Sequence, residues 1–250
     1  MRIQRRWLLV LIPLILIAVV TIGGLVWVSN PAAPMPAALA ALETDAAVTV
    51  SRENGWIVMQ PAGADAQTGL IFYPGGLVAP EAYAQPLREI AAAGYKVVIV
   101  PMPLNLAVLD SGAAAGVIAA YPEITRWAIA GHSLGGSMAA RFAYDNPDTI
   151  SGLALWAAYP EGDRDMSGRE LAVASIYGTL DGLATVEQVE GARPLLPPDT
   201  AWVKIEGGNH AQFGSYGDQA RDNAAAISRE AQQAQIVAAM LDLLARVEAQ

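Results

Sequence analysis

The stretch RWAIAGHSLGGSMAARFA, residues 126–143, runs from an apolar, strand-like segment through Gly-His-Ser-Leu-Gly-Gly into an alanine-rich, helix-like one. A serine at the tip of so abrupt a turn takes a strained backbone conformation. Its neighbours two positions away must be small, because strand and helix close on each other there. Gly131 and Gly135 occupy those positions around Ser133, and Gly136 adds room. The turn lifts the hydroxyl clear of the sheet and aims the first amides of the helix at whatever the hydroxyl attacks. Ser133 is therefore the candidate nucleophile, against the plainer reading of a glycine-rich turn with a helix-capping serine.

Outward from this turn, short apolar runs alternate with helical patterns. AAVTVSRENGWIVMQPAG reads as an edge hairpin turning at Asn54-Gly55. Strands are expected at 69–76, 95–103, 127–133, 152–158, 171–179 and 201–208. Helices are expected at 80–93, 107–120, 134–146, 183–192 and 222–248. Continuous β-rich runs separated by helices point to an α/β fold: a mostly parallel sheet of about seven or eight strands, covered on both faces. The stretch AYPEGDRDMSGRE (158–170) is too short to form a large cap domain.

A serine nucleophile needs a base, and the chain has two histidines. His132 adjoins Ser133 and reads as a packed structural residue. His210 lies in KIEGGNHAQFGSYG, just after the last expected strand, at the sheet edge where such folds build their sites. The base needs a carboxylate to fix its tautomer, and serine, acid, histidine is one of the chain orders in which such a relay is built. Asp181 ends a strand between the other two and is the candidate. Asp163 and Asp165, beside arginines in the 158–170 loop, are its rivals; Glu161 is a weaker one, and Asp218 is out of order. The oxyanion donors are expected to be the amide of Leu134 and that of Gly76 or Leu77, from the loop FYPGGLVAP.

Over residues 45–248 the chain resembles the α/β-hydrolase superfamily, and within it the compact, capless group related to dienelactone hydrolases. The resemblance is carried by FYPGGLVAPEAYAQPLREIAAAGYKVVIVPMPLNLA, AGHSLGGSMAARFA, YGTLDGLAT and GGNHAQFGSYG. It implies a Ser133–His210–Asp181 triad and hydrolysis of a carboxylic ester or related acyl compound through an acyl-enzyme. Dienelactone hydrolases commonly use a cysteine nucleophile and this chain has no cysteine; Pro74 stands where many lipases and esterases carry histidine. Neither of those substrate classes is carried over. Acyl transfer to another acceptor, peptide cleavage and a non-catalytic binding scaffold are the alternatives.

From Trp7 to Val28 there are 22 residues without a charge, roughly 33 Å as a helix and long enough to cross a bilayer. Arg2, Arg5 and Arg6 precede the segment, and the next basic residue is Arg52. These features predict residues 1–28 as a cytoplasmic N-terminus and transmembrane signal anchor, with the domain on the extracytoplasmic side. A cleaved signal peptide, giving a secreted domain, is the rival. Residues 29–44, rich in proline and alanine, read as a linker, and residues 45–250 as the hydrolase domain. Without residues 1–30 and their three arginines, twelve Lys and Arg face 24 Asp and Glu, a net charge of −12. That balance argues against nucleic acid as a partner. A small acyl substrate is expected, with no cofactor and no metal, because two histidines without cysteines supply too few ligands. The sequence does not indicate an oligomeric state.

Overall fold

A computed structural model describes residues 2–63 and 65–250; within residues 2–28 it describes the side chains of 11–24 and of Val28. Among the described residues, eight strands form one sheet: β1 (Val48–Glu53), β2 (Trp56–Pro61), β3 (Thr68–Tyr73), β4 (Lys96–Ile99), β5 (Arg126–His132), β6 (Ile150–Trp156), β7 (Ala172–Gly178) and β8 (Ala201–Ile205). Their order across the sheet is β1-β2-β4-β3-β5-β6-β7-β8. The expected hairpin turns at Asn54 and Gly55, both at positive φ, and pairs β1 with β2 antiparallel. β2 is antiparallel to β4, and from β4 to β8 every pairing is parallel.

Among the described residues, seven α-helices accompany the sheet: α1 (Arg2–Val28), α2 (Pro36–Ala40), α3 (Ala84–Ala92), α4 (Ala114–Ala120), α5 (Leu134–Asp145), α6 (Val186–Gly191) and α7 (Arg229–Glu248). The period of two along the strands divides the core into two layers. Leu70 and Phe72 of β3 and Ala128 and Ala130 of β5 face the layer that holds Leu87 and Ile90 of α3 and Ile236, Met240 and Leu244 of α7. Ile71, Tyr73, Trp127 and Ile129 face Val117 of α4 and Met138 and Phe142 of α5. Each of the leucine, isoleucine, valine, methionine and phenylalanine side chains among them contributes roughly 1.5–3 kcal/mol when fully buried. The central strands are buried on both sides, which is why they read as unbroken apolar runs.

Two helices differ most from expectation. The 107–120 pattern is cut by Ser111-Gly112 into a 3₁₀ turn at Ala107–Leu109 and α4. The C-terminal helix begins at Arg229 rather than 222, because Ser228 caps it by accepting the Ala231 N–H and the Ala226 amide is already bonded to the Gly207 carbonyl. Between β6 and β7 there is only the loop 157–171.

The expected transmembrane anchor is overturned. Among the described residues no helix is long and apolar enough to cross a membrane. Of the Trp7–Val28 segment, the side chains of residues 7–10 and 25–27 lie outside the described residues. The membrane as a partner, the single-pass topology and the extracytoplasmic placement that rested on that segment are withdrawn with it.

Candidate active site

β5 ends at His132 and α5 starts at Leu134, so Ser133 alone makes the turn. It does so at φ 53°, ψ −123°, in the positive-φ region that costs a non-glycine residue about 1–3 kcal/mol. Its amide is fixed on the Trp156 carbonyl at 2.9 Å. The flanking glycines are required by contact: a Cβ on Gly131 would stand 2.5 Å from the Gly135 carbonyl oxygen, and one on Gly135 would overlap the carbonyls of Tyr73 and Pro74. The Leu134 amide opens the first turn of α5, where backbone donors have no partner within the helix.

Asp181 and His210 come together. Asp181 follows β7 and is 5% exposed; His210 follows β8 and is wholly buried. His210 Nδ1 lies 2.7 Å from Asp181 Oδ2. The other carboxylate oxygen, Oδ1, accepts the amides of Leu183 at 2.8 Å and Ala184 at 2.7 Å, which compensates the burial of the charge. A carboxylate can only accept here, so the imidazole carries its proton on Nδ1 and leaves a lone pair on Nε2. That atom is buried and has no hydrogen-bond partner among the described residues. The rivals are placed otherwise. Glu161, Asp163 and Asp165 sit on the exposed β6–β7 loop, where Asp165 accepts the Ser167 amide. Asp218 is exposed as well.

His132 is packed, with its ring 4.4 Å from that of His210 and stacked on Phe213 at 5.4 Å. His210 therefore lies beside the elbow. Burial first, and the neighbouring His210 second, hold His132 well below the ordinary imidazole range, so it stays neutral. Its Nδ1 lies 2.8 Å from the Tyr83 hydroxyl, which also accepts the Gly75 amide at 3.0 Å. Tyr83 thus ties the elbow to the Gly75-Gly76-Leu77 loop. Of the two donors expected from that loop, Leu77 is committed: its amide is bonded to the Asn105 carbonyl at 2.8 Å. Gly76 is left, and it abuts the elbow, since a Cβ there would lie 3.2 Å from Leu134 Cδ2.

Three residues that sequence reasoning did not single out hold the histidine loop. Gln232 of α7, wholly buried, accepts the Asn209 amide at 3.0 Å and donates to the Asn209 carbonyl at 2.8 Å, gripping the residue before His210 on both sides. Asp222 accepts the Gly182 amide through Oδ1 at 3.0 Å and the Ala211 amide through Oδ2 at 2.8 Å, linking the acid and histidine loops. Arg229 donates to the carbonyls of Ala211 and Gly214. Two polar residues side by side, Gln232-Gln233, on the face of an amphipathic helix were the available signal. Among the described residues no three His, Asp or Glu side chains gather as a metal site would need.

Residues 69–234 match the sequence model of a family described as the alpha/beta hydrolase family. No curated protein matches the chain. Among solved structures, it is similar to one described as a predicted CIB-like hydrolase from Thermoplasma acidophilum. The two are 16% identical over 80% of this chain and 99% of that one, with a TM-score of 0.58. It is also similar to MGS-MChE2, an alpha/beta hydrolase enzyme from the metagenome of sediments from the lagoon of Mar Chica, Morocco. That pair is 15% identical over 66% of this chain and 91% of that one, with a TM-score of 0.55. At such identities the likeness is one of fold. The family match spans well over half of the chain, from the strand that leads into the Gly75-Gly76 loop to the helix that carries Gln232, and the chain belongs to the alpha/beta hydrolase family.

Proposed function

We propose that the chain is a serine hydrolase that cleaves a carboxylic ester or related acyl compound through an acyl-enzyme on Ser133. One observation carries this reading: a wholly buried imidazole whose Nδ1 is held by a buried carboxylate and whose Nε2 has no partner among the described residues, beside a serine at positive φ. In the reaction, Nε2 of His210 takes the hydroxyl proton as Oγ of Ser133 bonds to the substrate carbonyl carbon. The electron pair moves onto the carbonyl oxygen, and the amides of Leu134 and Gly76 receive it; a donor of this kind is worth about 3 kcal/mol in the transition state. Collapse expels the alcohol, which takes the proton from Nε2. Water then repeats the sequence on the acyl-serine and frees the acid. Asp181 keeps the proton on Nδ1 throughout and stabilises the imidazolium. No hydrogen bond joins Oγ of Ser133 to Nε2 among the described contacts. Such contacts often close only when substrate is bound.

The test is hydrolysis of 4-nitrophenyl esters by the full chain, together with labelling by a fluorophosphonate probe. Wild-type protein is expected to hydrolyse and to label, and Ser133→Ala to lose both while keeping its melting curve. Folded wild-type protein that does neither returns the chain to the scaffold alternative.

A further inference from the structure

The chain ahead of the sheet does not hang free. The Ala32 amide donates to the Leu77 carbonyl at 2.7 Å and the Ala79 amide donates to the Ala32 carbonyl at 3.1 Å, forming a one-residue parallel bridge between Ala32 and Val78. The Met35 amide donates to the Ser215 carbonyl at 2.7 Å, and Ala38 of α2 is wholly buried. Ala32 is thereby laid against the loop that supplies Gly76, while α2 packs on the 3₁₀ turn at Pro80–Tyr83 and on α3.

Beside that loop is a cavity of about 310 Å³, lined on its apolar side by Ala32, Leu77, Val78, Leu183 and Tyr216, with Gly76 at its edge. None of residues 209–213 lines it. Of the expected site residues, Gly76 and Leu77 line it and Ser133, Leu134 and His210 do not, so it meets the site on the side of the loop that supplies the Gly76 amide. The charged residues on its wall are Asp218 and Arg221, one of each sign, which suits an uncharged occupant. Its volume is at the lower end of the roughly 300–1,000 Å³ of small-molecule pockets.

We propose that this cavity takes a short, uncharged acyl chain of the substrate, and that Ala32 sets its depth from the pre-domain segment. The proposal rests on the hydrolase reading above. Ala32 precedes the family match, which starts at residue 69.

Full-length wild type, Ala32→Val and Ala32→Phe are compared on 4-nitrophenyl acetate, butyrate and octanoate, with fluorophosphonate labelling of Ser133 as the measure of intact sites. The wild type is expected to favour butyrate over octanoate. Ala32→Phe is expected to lower the butyrate-to-acetate ratio of kcat/KM by at least about tenfold, the size of a methylene misfit in an apolar pocket, with Ala32→Val falling between. A labelled Ala32→Phe that keeps the wild-type ratio overturns the proposal, as does a wild type that turns over octanoate as fast as butyrate. Where Ala32→Phe fails to label, Ala32→Val decides by the same ratio, and no change there overturns it too. A wild type that neither labels nor hydrolyses overturns the parent reading, and this one with it.

Discussion

The Asp181 carboxylate is placed so that each oxygen has one task. Oδ1 accepts two backbone amides and is fixed by its own loop, while Oδ2 faces Nδ1 of His210. Asp181→Asn can therefore keep the loop by presenting its carbonyl oxygen to Leu183 and Ala184, but it must then turn an amide NH₂ toward Nδ1. That donor selects the imidazole tautomer with its proton on Nε2, which cannot accept a proton from serine. We expect kcat to fall on the order of 10⁴-fold with the thermal midpoint little changed; a loss below tenfold would contradict the assigned role. The elbow was legible in the sequence because its constraint is local, with glycines needed within two positions of a strained serine. The fate of Leu77 was not. Its amide is taken by Asn105, 28 positions along the chain, and no pattern within FYPGGLVAP reveals that bond.

A helix supplies what the loops cannot. α7 covers the sheet through Ile236, Met240 and Leu244, yet its first two turns present Gln232 to the backbone of Asn209. The primary amide pairs with both groups of one peptide residue as a neighbouring strand would. Gln232→Leu fills a similar volume and leaves the Asn209 amide and carbonyl buried without partners, at about 1–3 kcal/mol each. The loop must then shift to rescue them, carrying His210 with it. Misplacement by about 1 Å costs on the order of 10²-fold, so kcat should drop toward that extent while KM barely changes. Steady-state kinetics beside a urea titration separate the two roles: lost stability with kcat intact would make Gln232 a structural residue only. Strands and helices were legible here from period and composition. The helix start at Arg229 and the docking of residues 32–41 depend on bonds to distant backbone, and a proline- and alanine-rich stretch reads the same whether it spans a gap or lies on a surface.

At the scale of the whole molecule, the sheet's end holds a buried polar cluster: His132, with Tyr83, His210 and Tyr216 facing it and Phe213 stacked against it. Burial also raises the phenol groups of Tyr83 and Tyr216, so these remain neutral through the physiological range. His132 gives the cluster a signature in global stability. Its native form resists protonation, with burial as the main cause, whereas in the unfolded chain it titrates near the usual 6.5. Below that value the unfolded state binds the extra proton, so stability falls as pH drops through the window beneath about 6.5; above it the contribution is constant. The slope approaches about 1.4 kcal/mol per pH unit for one proton. Carboxylates held low by hydrogen bonds, such as Glu53 through Ser51 and Tyr121, lose their contribution only further down, as pH falls through the lower carboxylate range. Over the interval from pH 6.5 to 5, comparison with His132→Asn therefore isolates this histidine. Asparagine keeps a polar group for Tyr83 but cannot titrate. Urea midpoints at pH 7.5, 6 and 5 should decline more steeply for the wild type than for His132→Asn; parallel declines would show that the buried imidazole accepts its proton without unfolding.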